Sequence, residues 1–163
     1  MNTSIRYDIC FCCSTNMLVH VVEVINNLVE VCPETAFTMH VIIGAPEEVA
    51  EDLTQLLNVF GSNVDVIVYS GDVLDEIILN DHILRNKNIL LYDTKCIYYK
   101  LFIHRFIDSS IKHVLYLDYD VYISSSKILD IFNIDLGHSY LAGAIDLLTV
   151  REDYASLHLT NTY

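Results

Sequence analysis

The chain has 163 residues, with 9 Lys and Arg against 22 Asp and Glu, and its formal net charge is −13. This length predicts a single domain, residues 1–163, with a core of its own, and the hydrophobic content of 53% argues against disorder. The few positive charges exclude the basic stripe that binds nucleic acids or anionic membranes. No apolar run reaches the roughly 20 residues of a membrane span.

The cysteine pattern indicates a reduced protein. The chain has an odd number of cysteines, and although Cys10 and Cys13 stand at Cys-x-x-Cys spacing, they lie in an apolar, strand-like run with no histidine partner nearby, which argues against a zinc or redox site. The polar first residues do not form a signal peptide, so we expect a cytoplasmic protein with buried thiols. These cysteines are Cys10, Cys12, Cys13, Cys32 and Cys96.

Strand-like and helix-like segments alternate from the beginning of the chain. Apolar runs predict strands at 7–13, 37–43 and 64–69. Apolar residues at helical spacing predict a helix between each pair of strands, the first closed by Pro33 and the second covering about 46–61. This βαβαβ order is typical of a parallel sheet with helices on both faces.

The second half of the chain predicts shorter elements. Residues 94–107 predict a helix and residues 113–117 a fourth strand, which we expect to continue through 121–123. Three consecutive serines predict the start of a short helix over 124–132. A last strand is predicted at 141–145.

Asp118 and Asp120 directly follow the predicted fourth strand. Ligands of open parallel sheets bind outside the carboxyl ends of the strands. Two carboxylates one residue apart can there turn toward one hard divalent cation, whose remaining positions diphosphate oxygens fill. The tripeptide also suits a solvated turn, because Asp is common in turns.

The segments around this motif carry a family resemblance. They are Val114–Val121, Phe132–Gly137, Leu141–Ala144 with Asp146, and Tyr98–Leu101. Together they resemble glycosyltransferase family 8, and the resemblance covers nearly the whole chain. It implies an α/β fold of GT-A type, with a mixed, mainly parallel sheet, helices on both faces and an incomplete C-terminal edge.

The resemblance also implies a chemistry. The donor would be UDP-galactose or UDP-glucose, bound with Mn²⁺ or Mg²⁺, and the hexose would pass with retention to a glycan or other sugar acceptor. Asp118 and Asp120 would be the metal ligands. The resemblance places the other donor-binding positions at Cys12, Ser14, Asn16, Lys100, Tyr119 and Asp146.

Several of these positions also fit a structural role. Ser14 and Asn16 suit helix caps, Lys100 suits a solvated helix cation, and Asp146 suits a turn carboxylate. Lys100 stands where the family has an arginine, so it keeps the charge but loses the bidentate geometry. Met17 stands where the family has an aromatic residue that stacks on the base.

The chain stops before the family's acceptor-side segment and its third metal ligand. We therefore expect the nucleotide-binding half of such an enzyme, with little or no transfer by this chain alone, and no catalytic residue is assigned. The alternative is an inactive family member that serves as a binding or scaffold protein. Self-association or a partner would cover its C-terminal edge.

A haloacid dehalogenase-type phosphohydrolase is a third interpretation, because its nucleophilic Asp-x-Asp also follows an apolar strand. That motif normally opens its domain. Here only 43 residues follow Asp120, which disfavours this class.

Overall fold

The computed structural model describes residues 5–74, 95–139 and 141–142. The chain divides into two units, Met1–Asn133 and Ile134–Tyr163. In the described part of the second unit, the Ser139 amide donates a hydrogen bond to the Leu136 carbonyl. Only the first two residues of the strand predicted at 141–145 are described, and neither is in a strand. All elements below belong to the first unit.

The described sheet has four parallel strands, and it covers the predicted strand positions. They are β1 (Arg6–Ser14), β2 (Ala36–Gly44), β3 (Val64–Ser70) and β4 (Val114–Tyr116). Their order across the sheet is β3-β2-β1-β4, and every pairing among them is parallel. Both central strands are almost continuously apolar because both of their faces are covered.

Within residues 5–74, 95–139 and 141–142, three helices and several 3₁₀ segments accompany these strands. The helices are α1 (Leu18–Val31), α2 (Glu47–Leu57) and α3 (Cys96–Tyr99). The 3₁₀ segments are Thr15–Met17, Gly71–Leu74, Lys100–Arg105 and Ser126–Asn133. Of the helix predicted at 94–107, residues Cys96–Tyr99 are α-helical and residues Lys100–Arg105 form a 3₁₀ helix. No helix in the described part of the chain is long and apolar enough to cross a membrane.

The two faces of the sheet carry separate cores. On one face, Phe11 and Val41 pack with Ile25 of α1 and Ala50 of α2. On the other, Cys10, Cys12 and Ile42 pack with Cys96 and Tyr99 of α3. Helices thus cover both faces, as predicted. All five cysteines are buried and none forms a disulfide bond, which confirms their predicted burial.

The expected strand at 121–123 is wrong. The last sheet bond of this segment runs from the Leu117 amide to the Cys10 carbonyl. Beyond it the chain leaves the sheet, and the Ile123 amide donates instead to Oδ1 of Asn27 in α1, at 2.7 Å. Ile123 remains 5% exposed, so its apolar character reflects packing against α1 and not a place in the sheet.

Tyr99 fixes α3 on the second face. It is 1% exposed, and its ring lies against two glycines. A Cβ atom on Gly71 would lie 2.6 Å from Cζ of Tyr99 and closer still to Cε2, and a Cβ on Gly44 would lie 3.3 Å from the hydroxyl oxygen. These two glycines admit the ring, which sets the position of the adjacent Lys100.

Hydrogen bonds from the buried His40 to the half-buried Asp8 and Tyr69 link the first three strands on the same face. The His40 ring is hydrogen-bonded through Nε2 to Asp8 Oδ1 at 2.9 Å and through Nδ1 to the Tyr69 hydroxyl at 3.0 Å. His40 is 2% exposed, so these bonds satisfy both of its ring nitrogens inside the core.

Candidate functional site

The Asp-x-Asp motif lies at the carboxyl end of the sheet, as predicted. Asp118 and Asp120 follow β4, and β4 pairs with β1 through Cys10 and Tyr116. Ser14 ends β1 at the same edge. Both carboxylates of the motif are exposed, so they are accessible to a ligand from solvent.

Asp118 is held by a side chain two residues earlier. The Tyr116 hydroxyl donates a hydrogen bond to Asp118 Oδ1 at 2.7 Å. Burial raises the pKa of Tyr116, and the hydrogen bond to Asp118 raises it further. The hydroxyl therefore stays protonated at neutral pH and acts as the donor.

Lys100 joins this group from the start of the 3₁₀ segment that follows α3. Its Nζ atom lies 5.5 Å from the centre of the Tyr116 ring, a cation–π distance. The Lys100 side chain is exposed, so its charge also faces solvent. A carboxylate, a phenol and an ammonium group thus lie together at one strand end.

Cys12 lies beneath these charges. It is 4% exposed. A hydrogen bond with the Cys10 thiol raises the pKa of Cys12, burial raises it further, and the nearby charges of Lys100 and Asp118 act on it in opposite directions. Cys12 is therefore a neutral thiol in the floor of the site and not a thiolate ligand.

Asp120 and Tyr119 line a cavity beside α1. Its volume is about 320 Å³, and Met17, His20 and Asn27 contribute to its wall. The His20 ring is stacked on Tyr119, with 6.3 Å between the ring centres. This places Met17 in the same cavity as the second aspartate.

Of the three remaining predicted residues, the structure describes Ser14 and Asn16. Ser14 is 9% exposed, and it precedes the 3₁₀ turn without a capping hydrogen bond from its side chain, so it does not act as a cap. Asn16 is exposed in that turn. Asp146 lies outside the described residues.

The described residues suit a cation that arrives with an anionic ligand. Among them, no group of three or more His, Cys, Asp or Glu side chains could hold a metal ion. Two exposed carboxylates are nevertheless the oxygen ligands that Mg²⁺ and similar hard cations use together with substrate phosphates. Asp118 and Asp120 would supply them.

The sequence reasoning did not single out Tyr116, His20 or Glu23. Tyr116 could have been found, because residues two apart along a strand point to the same face, which would place Tyr116 beside Asp118. His20 and Glu23 form a pair 3.1 Å apart on α1, and nothing in the sequence relates them to the motif at 118–120.

The sequence model of glycosyl transferase family 8 matches residues 8–160. No curated protein sequence matches the chain. Among solved structures, the galactosyltransferase LgtC in complex with donor and acceptor sugar analogues is similar to it, with a TM-score of 0.63 and 23% identity over 90% of this chain and 49% of that one. An active-site mutant of LgtC is also similar, with a TM-score of 0.64 and 24% identity over 90% of this chain and 49% of that one.

A more distant likeness is to mouse xyloside xylosyltransferase 1 in its apo form. The TM-score is 0.54 and the identity 14%, over 79% of this chain and 48% of that one. The match to LgtC confirms the predicted GT-A type of fold. The chain spans about half the length of the solved structures it matches.

Proposed function

Because the chain belongs to glycosyltransferase family 8, we propose that it binds a UDP-hexose through a divalent cation at Asp118 and Asp120, and that it serves hexosyl transfer with retention to a sugar acceptor. UDP-galactose or UDP-glucose is the donor, and Mn²⁺ or Mg²⁺ is the cation. LgtC, whose fold is similar, is a galactosyltransferase, and its structure was solved with donor and acceptor sugar analogues. We further propose that residues 1–163 act as one donor-binding domain in the cytoplasm.

The observation that carries this proposal is the grouping of opposite charges at one strand end. Asp118 and Lys100 meet the same Tyr116 side chain, one through its hydroxyl and the other through its ring. Carboxylates suit a divalent cation, and an ammonium group suits phosphate oxygens. A nucleoside diphosphate with its cation requires both kinds of group.

The net charge explains why a cation is needed. A chain with a charge of −13 repels a nucleoside diphosphate. When bound, a divalent cation neutralises charge that develops on a phosphate leaving group. The chain's own residues have separate roles in this proposal. The carboxylates of Asp118 and Asp120 hold the cation, Lys100 faces the phosphates, and the Tyr119 backbone lies along the nucleotide.

The base-binding positions favour a looser pocket than in the family pattern. Met17 lies in the cavity with Tyr119 and Asp120, and a thioether packs on a ring adaptably. Ser14 offers a hydroxyl where the family has an acid. These two positions also favour the second candidate function, a member that binds the donor without transferring the sugar.

The test is a calorimetric titration of UDP into the full chain, once in Mn²⁺ and once in EDTA. We expect saturable binding in Mn²⁺ and none in EDTA, because the repulsion between chain and nucleotide is offset only when the cation is present. ADP and GDP serve as matched ligands that report selection of the base. No binding of UDP under either condition would contradict the proposal.

Turnover decides between the two candidate functions in one direction. Release of UDP that depends on Mn²⁺, from UDP-galactose or UDP-glucose with a simple sugar acceptor, would establish the transferase and contradict the binding or scaffold protein. Little or no release is expected from this chain alone under either function, because it spans about half the length of the solved transferases it matches.

A further inference from the structure

Tyr116 contacts both charged groups of the strand-end site. We propose that Tyr116 is a positioning residue, which orients the Asp118 carboxylate toward the cation and keeps Lys100 away from it. This inference rests on the proposed function, because it assigns a role within the same site.

The first step is the hydrogen bond on Asp118. The Tyr116 hydroxyl occupies Oδ1, which leaves Oδ2 as the oxygen available to a cation. Within the described residues this is the one hydrogen bond on the Asp118 carboxylate. An exposed carboxylate without such a partner samples several rotamers, and partners of this kind fix the orientation of metal ligands.

The second step is the separation of Lys100 from Asp118. In the part of the chain that the structure describes, these two residues form no ion pair, although both charges act on the same buried thiol of Cys12. The Lys100 ammonium instead faces the Tyr116 ring. A direct ion pair would occupy the carboxylate that the cation requires, so the ring leaves each charge available to the ligand.

The third step is the rigidity of Tyr116 itself. It belongs to β4 and pairs with Cys10 of β1, and its half-buried ring packs against the core that contains Tyr99 and Ile42. The backbone and the ring are both fixed, so the hydroxyl is a fixed point at an otherwise exposed strand end.

The experiment compares Tyr116→Phe with the wild-type full chain. The substitution removes the hydroxyl and keeps the ring beneath Lys100. With Mn²⁺ and UDP as the probe, and bound Mn²⁺ read by electron paramagnetic resonance, we expect Mn²⁺ to bind between about 10-fold and 100-fold more weakly. The midpoint of thermal unfolding without metal is expected to stay close to that of the wild type, which separates positioning from a structural role.

Tyr7→Phe is the matched control, since it makes the same chemical change at the opposite end of β1, where Tyr7 packs on Phe37 and Phe132. We expect it to bind Mn²⁺ as the wild type does. If Tyr116→Phe does not fold, Tyr116→Met is expected to show a loss at least as large, because it removes both the hydroxyl and the ring that faces Lys100.

Two outcomes would overturn the inference, and they differ. If the wild type binds Mn²⁺ with UDP and Tyr116→Phe binds it equally well, Tyr116 does not position the carboxylate, and the proposed function stands. If the wild type binds no Mn²⁺ with or without UDP, the proposed function fails and the inference fails with it.

Discussion

Asp118→Asn and Asp120→Asn are each expected to weaken Mn²⁺-dependent binding of UDP on the order of 100-fold. Asparagine keeps the shape of the side chain and removes its charge. Unit charges 4 Å apart attract by about 1 kcal/mol in bulk water and about 4 kcal/mol at an effective dielectric constant of 20, and a divalent cation doubles both values. Because Asp118 and Asp120 are exposed, solvent screening keeps the loss near the lower limit, and 100-fold corresponds to about 2.7 kcal/mol. Calorimetry in Mn²⁺ measures the loss directly.

The control for this prediction is Asp52→Asn on α2. Asp52 is also exposed, so the substitution changes the net charge equally but lies outside the strand-end site. We expect it to leave UDP binding unchanged. Wild-type affinity in Asp118→Asn or Asp120→Asn would show that these carboxylates do not hold the cation, even if UDP binds elsewhere on the chain.

Gly71→Ala is expected to destabilise the fold by about 1–3 kcal/mol. A Cβ atom at this position would lie 2.6 Å from Cζ of Tyr99, and Tyr99 is 1% exposed, so its ring has no solvent-filled space to move into. The overlap must be relieved by a shift of α3. Urea denaturation of both proteins measures the change in the free energy of unfolding.

Two further variants test the stated cause of this loss. Gly61→Asn places a side chain at a glycine with φ of 103° and no atom within 4 Å of the added Cβ. Asn is among the residues that adopt positive φ most readily, so we expect a smaller loss than in Gly71→Ala. The second variant combines Gly71→Ala with Tyr99→Leu, and the two changes are expected to couple by more than about 0.5 kcal/mol. Wild-type stability of Gly71→Ala would contradict the tight contact.

The first half of the fold could be predicted from the sequence because local patterns and tertiary structure agree there. The apolar run at 7–13 became β1, with six consecutive buried residues from Ile9 to Ser14. Such a run requires cover on both faces, and alternating strands and helices supply it. The strand ends moved by only one residue, as is usual where strands fray.

The second half was predicted less well because its apolar residues are satisfied by distant contacts. Val121 and Ile123 suggested a continued strand, yet the Ile123 amide binds Asn27, which lies 96 residues earlier in the chain. The first half has one such case, since the hydrogen bonds of Asp8, His40 and Tyr69 join three strands. No local pattern reveals a partner so far away in the sequence.

The candidate site was likewise predicted only in part. Asp118 and Asp120 could be placed at a strand end from the apolar run that precedes them, since parallel strands present their carboxyl ends at one edge. The meeting of Lys100 with Tyr116 depends on how Tyr99 seats α3 against Gly71 and Gly44. The contact between Lys100 and Tyr116 follows from the packing of several elements, so it cannot be predicted from the local sequence around either residue.

The most direct measurement for the central claim is the amide NMR spectrum of the ¹⁵N-labelled chain with Mn²⁺ and UDP added. Bound Mn²⁺ broadens nearby signals, and a nine-residue strand such as β1 spans roughly 30 Å, so the two edges of the sheet are distinguishable. We expect the signals of Cys12, Lys100 and Asp118 to disappear while those of Ala36 and Val64 persist, with no broadening in Mg²⁺ and UDP. Broadening centred on Ala36 and Val64, or none at any amide, would contradict a metal–nucleotide site at the carboxyl end of the sheet.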